Sequence, residues 1–285
     1  MMGRAPRFKR AQRRAAMTTL PLHLRFDGPV ARISIDNPAR RNALSRAMWR
    51  ALPALVEQAR SHPGVRAITL QSAVPGCFAA GADISEFQAT YTSHEEAVRA
   101  NDEIQAAVAA LADCPLPTLA LIDGPCIGGG VALVLGCDIR LASERATFAV
   151  TPAKLGLSYF PGDVERLLLA CGRSCASELL FSGQPWDARR AVEAGLSTRL
   201  LPTVGFDDSA ATLVQAICAN SLDANLALKR ALGAAESGVQ AARAEAEADF
   251  TALFAGPDFT EGREAFLGRR SPQFPSHLIG AKGPA

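Results

Sequence analysis

The chain lacks the marks of several common classes of function. Its seven cysteines form no C-x-x-C pair, and none of its four histidines stands at a metal-binding spacing, so the usual zinc and dithiol motifs are excluded. No apolar run approaches the roughly 20 residues of a membrane span. GxxxxGK[ST] is missing, and DGPCIGGG (Asp123–Gly130) lacks the GxGxxG spacing, which removes the P-loop and dinucleotide-binding readings. No internal repeat is visible. Positive and negative side chains nearly cancel, at a formal +2. Neither a metal, a nucleic acid nor a membrane is therefore expected as a partner.

What is present is a composition for folding. With 285 residues, 48% of them hydrophobic and 20% charged, the chain can bury a large core in one or two domains. Charge is uneven only at the start, where Arg4, Arg7, Lys9, Arg10, Arg13 and Arg14 precede any acid. That arm has no serine and no apolar core for a signal sequence, so residues 1–16 read as a disordered basic tail. Met17 stands just before the β-pattern as a second possible start. Cysteines scattered through apolar runs, such as Cys126 and Cys137, fit a reduced, cytoplasmic protein.

Leu22–Phe26 and Val30–Ile35 flank Asp27-Gly28, which predicts a β-hairpin. A helix carrying Met48, Leu52, Leu55 and Val56 on one face should end before Pro63. Strands are expected at Val65–Ser72, Thr118–Ile122, Asp138–Ala142 and Thr147–Val150, with a helix from about Glu95 to Ala112. From Val164 onward helices dominate: Val164–Ala170, Cys175–Leu180, Ala188–Ala194, Asp207–Ala219, Ala224–Gly233, Val239–Phe254 and a segment near Gly262–Leu267.

The stretch DGPCIGGGVALVLGCD (Asp123–Asp138) organises the rest. Gly128, Gly129 and Gly130 open an apolar run, Val131–Gly136, with no polar face, which predicts a buried helix. Unpaired N–H groups at a helix start, reached over glycine, suit a negatively charged oxygen; tight helix–strand packing would need the same small residues. A second small-residue stretch, GCFAAGADISEF (Gly76–Phe87), again exposes backbone, with Asp83 placed to cap a short helix.

The pairing of AAGAD with a later GGG resembles the crotonase superfamily, the enoyl-CoA hydratases and isomerases, over about Leu22 to Phe274. The resemblance implies an α/β fold: a crotonase-like spiral of repeated ββα units at 17–205, a C-terminal helical trimerisation region at 206–271, and a loose tail at 272–285. It implies an acyl-CoA substrate, coenzyme A as part of that substrate rather than a prosthetic group, and a homotrimer or dimer of trimers. The N–H groups of Ala82 and Gly129 become the oxyanion hole for the thioester oxygen. Arg40 and Arg41 of NPARRNALS, with Ala80, Asp83 and Ile84, would line the CoA. EAFLGRRSPQF resembles the family's closing motif, whose basic residues, here Arg269 and Arg270, would lie near the CoA of a neighbouring or the same subunit.

The same resemblance exposes a gap. The family's hydratases use two glutamates, and their places are taken here by Ala132 and Pro152. A positioned acid or base contributes ~10²–10⁴ in rate, so three readings stand. Another acid serves a hydratase or isomerase, with Asp163 and Glu165 as candidates. Alternatively, a malonyl-type CoA thioester is decarboxylated, with Tyr159 of TPAKLGLSY meeting its carboxylate as in the similar loop of methylmalonyl-CoA decarboxylases. Or acyl-CoA is bound without chemistry.

Overall fold

The computed structural model describes residues 20–274. The basic arm, Met17 and residues 275–285 of the expected tail lie outside that range. In chain order the elements are β1 (Leu22–Asp27), β2 (Val30–Ile35), α1 (Arg46–Ser61), β3 (Ala67–Ser72), α2 (Phe87–Thr90), α3 (His94–Ala112), β4 (Thr118–Ile122), β5 (Pro125–Ile127) and α4 (Gly129–Leu135). Then follow β6 (Ile139–Ser143), β7 (Thr147–Ala149), α5 (Pro161–Ser182), β8 (Trp186–Asp187), α6 (Ala188–Glu193), β9 (Arg199–Leu201), α7 (Phe206–Ala219), α8 (Leu222–Ser237), α9 (Gln240–Leu253) and α10 (Pro257–Leu267).

Six strands form one sheet in the order β1-β2-β3-β4-β6-β9, parallel after the β1–β2 hairpin. A smaller sheet runs β5-β7-β8, and the parallel bridge Ala79↔Cys126 adds a further segment to it. Successive turns of chain thus leave one strand in each sheet before a helix: β4, β5, α4, then β6, β7, α5. This is the spiral of ββα units.

The large sheet is covered on both faces, which explains why β4, TLALI, is buried at every position. Leu119, Leu121 and Leu141 alternate toward Phe206, Ala210 and Val214 of α7. Ala120, Ile122 and Ala142 share the opposite core with Met48 and Leu52 of α1, Ala107 and Leu111 of α3, and Val131 and Leu133 of α4. Helix α1 buries Met48, Trp49, Leu52, Val56 and Ala59, a 3.6-residue repeat, and Ser45 Oγ caps it by accepting from Met48 N at 3.3 Å.

Two expectations shift in detail. The hairpin loop is Gly28-Pro29, because Asp27 still pairs with Val30, and Gly28 supplies the left-handed φ of 55° at the first loop position. The helices expected at Val164–Ala170 and Cys175–Leu180 lie within α5, broken at Gly172, where φ is 70° and ψ 165°. Strands β5, β8 and β9 have only two or three residues each, too few for any periodicity to declare them.

Asn42 holds the loop before α1 against the site. It is fully buried in a left-handed conformation, φ 56°. Its Oδ1 accepts from Asn37 N at 2.8 Å, and its Nδ2 donates to Ser72 Oγ (2.7 Å) and to the carbonyls of Cys77 and Phe78 (3.1 Å each). Asn42→Ala should leave these groups unpaired and strain φ, lowering the unfolding free energy by about 2 kcal/mol or more. Urea unfolding checks this; a loss below about 0.5 kcal/mol would contradict the role.

Candidate active site

Two backbone segments meet at the cavity floor. Gly128 N donates to Ala149 O at 2.7 Å, and Gly128 takes φ 51°, ψ −109°, a conformation that only glycine adopts without strain. Gly129 then begins α4. Opposite, Leu44 N donates to Gly81 O at 2.7 Å and Asp83 N to Leu44 O at 3.0 Å, so the chain on either side of Ala82 is fixed. Among the described residues neither Ala82 N nor Gly129 N donates to a backbone acceptor outside regular elements. The two amides are neighbours: a Cβ on Gly129 would lie 3.5 Å from Ala82 N, and one on Gly81 would lie 3.8 Å from Gly129 N.

The glycine triplet serves both uses open to it. Gly129 lets Ala82 and the Trp49 ring approach, whereas Gly130 is a packing glycine, since a Cβ there would meet Ala79 Cβ at 3.0 Å.

Above the floor opens a cavity of about 190 Å³. Ala80, Ala82, Ile84, Gly129, Tyr159 and Asp163 all line it, and so do Ala132 and Pro152, which give it apolar walls. Asp163 is 2% exposed. Its Oδ2 accepts from Gln105 Nε2 of α3 at 3.1 Å, and Arg166 Nη1 stands 3.6 Å from Oδ1, which has no hydrogen-bond partner among the described residues. Burial raises this carboxyl above the usual range, against the opposing pull of Gln105 and Arg166. Trp49 Nε1, buried in the same wall, is likewise unpartnered.

Other expected site residues fall elsewhere. Glu165 is exposed on α5 and does not line the cavity; it is two residues from Asp163, and helical geometry turns it away. Tyr159 is present, but its hydroxyl donates to Gly128 O at 2.9 Å. It therefore pins the floor, and burial pushes its phenol well above its ordinary value. Asp83 caps the turn Ile84–Glu86, accepting from Ser85 N at 3.0 Å, and Arg40 reaches Ser85 Oγ (2.6 Å) and Asp83 (3.3 Å). The Ser85 hydroxyl chiefly, then the Ser85 N–H and Arg40, hold Asp83 below its usual value against the effect of burial. Arg41 contributes its carbonyl to Ala80 N at 3.1 Å while its side chain is exposed, and Arg269, exposed beyond α10, is not in the cavity wall. Sequence reasoning passed over Gln105, Asn42 and Trp49, because a lone amide or indole carries no motif. The buried Cys137 thiol, pushed up to about 12 by burial, is no nucleophile. Among the described residues no helix is long and apolar enough to cross a membrane.

The raised Asp163 carboxyl has a consequence for stability. Native protein keeps this proton to higher pH than the unfolded chain, so its contribution to stability is full below the unfolded value and is lost as pH rises through the folded one. Asp163→Asn should therefore be more stable than the parent at pH 7, with the gain vanishing near pH 3. Denaturant titrations at both pH values test this; a variant less stable at pH 7 would contradict it.

Residues 25–277 match the model of the enoyl-CoA hydratase/isomerase family. The 2,3-dehydroadipyl-CoA hydratase of Escherichia coli is 32% identical over 85% of this chain and 93% of its own. Mouse mitochondrial methylglutaconyl-CoA hydratase is 36% identical over 59% of this chain, and the match spans 53% of that protein, about half its length. A solved enoyl-CoA hydratase/isomerase family protein from Hyphomonas neptunium superposes with a TM-score of 0.87 at 39% identity, covering 90% of this chain and 98% of its own. With a family model matching most of its length, a relative 32% identical over 85% of it, and a solved family member of the same fold, the chain belongs to the enoyl-CoA hydratase/isomerase family.

Proposed function

We propose that the protein is an acyl-CoA isomerase, which moves a double bond by forming a thioester enolate at the Ala82 and Gly129 amides. One observation carries the reading. Asp163 is the carboxyl in the cavity wall, buried and with Oδ1 unpartnered among the described residues, in a wall that also holds Ala132 and Pro152, the residues that the resemblance sets in place of the hydratase glutamates.

Asp163 Oδ1 takes a proton from C2 of a 3-enoyl thioester. The C–H pair becomes the C1–C2 π bond, and charge moves to the thioester oxygen between the two N–H donors. A donor of this kind is worth ~10²–10³ in rate. The new acid returns its proton to C4, the double bond settles between C2 and C3, and the carboxylate is regenerated. One carboxyl suffices because proton removal and return are sequential. Hydration needs water positioned and activated as well, and methyl and pyrrolidine walls do neither. Decarboxylation is less well supported, since the Tyr159 hydroxyl is committed to Gly128 O. Loss of all chemistry is less well supported too, given a carboxyl in the wall.

The test is a panel of 3-enoyl-, crotonyl- and malonyl-type CoA thioesters. The 3-enoyl substrate should be isomerised, Asp163→Asn should lower that rate ~10²–10⁴-fold, and Glu165→Gln should leave it unchanged. Crotonyl-CoA hydration at ~10 s⁻¹ or more, or isomerisation indifferent to Asp163→Asn, would overturn the reading.

We also propose a homotrimer or dimer of trimers, built through the C-terminal helices. Leu228 and Leu232 on α8, Phe250 on α9 and Phe266 on α10 are each at least 62% exposed, a cost that association removes. Light scattering should give a multiple of three chains; a mass near the 30.0 kDa of one chain at micromolar concentration would contradict it.

A further inference from the structure

Trp49 is 2% exposed, and its Nε1 has no hydrogen-bond partner among the described residues. The protein's other tryptophan shows the ordinary solution: Trp186 Nε1 donates to Glu178 Oε1 at 3.0 Å. A buried donor left unpaired is costly, so its position matters. Trp49 lines both the cavity over the amides and a small adjoining chamber of about 30 Å³. A Cβ on Gly129 would meet Trp49 Cζ2 at 3.1 Å and Cη2 at 3.6 Å. The ring edge next to Nε1 therefore faces the backbone that holds one of the two amide donors.

The surroundings limit what this donor can receive. Arg46 also lines the chamber, but its guanidinium is held by Glu103 (2.6 and 3.0 Å) and Glu96 (3.1 Å). Glu86, in the same wall, accepts from Arg46 N at 2.7 Å. With this cation compensated and a carboxylate nearby, an anionic ligand is disfavoured and a neutral oxygen is not.

We propose that Trp49 is a specificity-determining residue whose indole N–H donates to a neutral oxygen, a hydroxyl or keto group, on the acyl chain of the bound CoA thioester. The inference rests on the acyl-CoA reading of the cavity but not on its isomerase chemistry. A site built to hydrogen-bond a substrate oxygen rejects the analogue without it, because the buried donor then stays unpaired.

The test is binding, by calorimetry, of butyryl-, 3-hydroxybutyryl-, acetoacetyl- and succinyl-CoA to the parent protein and to Trp49→Phe, which keeps an aromatic ring and removes the N–H. In the parent the hydroxy- or keto-acyl thioester should bind at least about tenfold tighter than butyryl-CoA, and succinyl-CoA should show no such gain. In Trp49→Phe the ratio should fall to about one. A ratio preserved in the folded variant, or a preference for succinyl-CoA, would overturn the proposal.

Should the variant not fold, the two indole N–H signals of ¹⁵N-tryptophan-labelled parent protein decide, assigned through Trp186→Phe. The Trp49 signal should move downfield with 3-hydroxybutyryl- or acetoacetyl-CoA and not with butyryl-CoA; equal movement with all three would overturn the proposal. Tight binding without discrimination sinks this inference alone, whereas no binding of any acyl-CoA sinks the reading of the cavity and this inference with it.

Discussion

The structure depends on the close approach of two backbones, the segment through Gly81–Ala82 and the turn into α4 at Gly128–Gly129. Each is anchored in the sheets, one by the bridges Leu44↔Ala82 and Ala79↔Cys126, the other by β5 paired with β7. The contact tolerates no added atom at several points. A Cβ on Gly124 would fall 2.2 Å from Gly76 O, and one on Gly130 3.0 Å from Ala79 Cβ. Space taken by side chains elsewhere is here given to amide groups, which is why the small-residue stretches dominate the sequence. Preorganised donors of this kind act without reorganising when charge develops on a bound oxygen.

Around that floor the protein accepts electrostatic cost. Asp163 is buried with, among the described residues, a single side-chain hydrogen bond, from Gln105, and with Arg166 at 3.6 Å. A buried carboxyl placed for stability alone would have both oxygens paired. A carboxyl in a cleft whose proton burial holds more tightly is instead the kind of group that can pass a proton. Tyr159 works differently, since its hydroxyl braces Gly128 O from the loop that leads into α5, the helix that carries Asp163.

Much of the fold was legible where pattern and length sufficed. Strands β2 and β4 begin and end as the sequence suggests, and the apolar run after the glycines is a buried helix because it has no polar face. The hairpin turn was displaced by one residue, since register rather than the Asp-Gly dipeptide fixed where pairing ends. In the site, the places of Ala82 and Gly129, whose amides lie side by side, were readable only through the resemblance, and so were those of Ala132 and Pro152, which stand in the cavity wall. The choice between Asp163 and Glu165 was not, because it depends on which way α5 is rotated. Asn42 and Gln105 were invisible for a related reason: each acts through a partner distant in sequence, Phe78 for Asn42 and Asp163 for Gln105.

We propose that Ala82 N and Gly129 N hold and polarise a thioester oxygen. Vibrational difference spectroscopy of an acyl-CoA carrying ¹³C at the thioester carbonyl measures this directly on the intact protein. Two charge-stabilising donors weaken the carbonyl bond, so its stretch should shift to lower frequency on binding. Gly129→Pro, which removes one N–H, should reduce that shift while circular dichroism shows the fold retained. A bound thioester whose carbonyl frequency matches that in water, or a shift unchanged in the folded variant, would contradict the account.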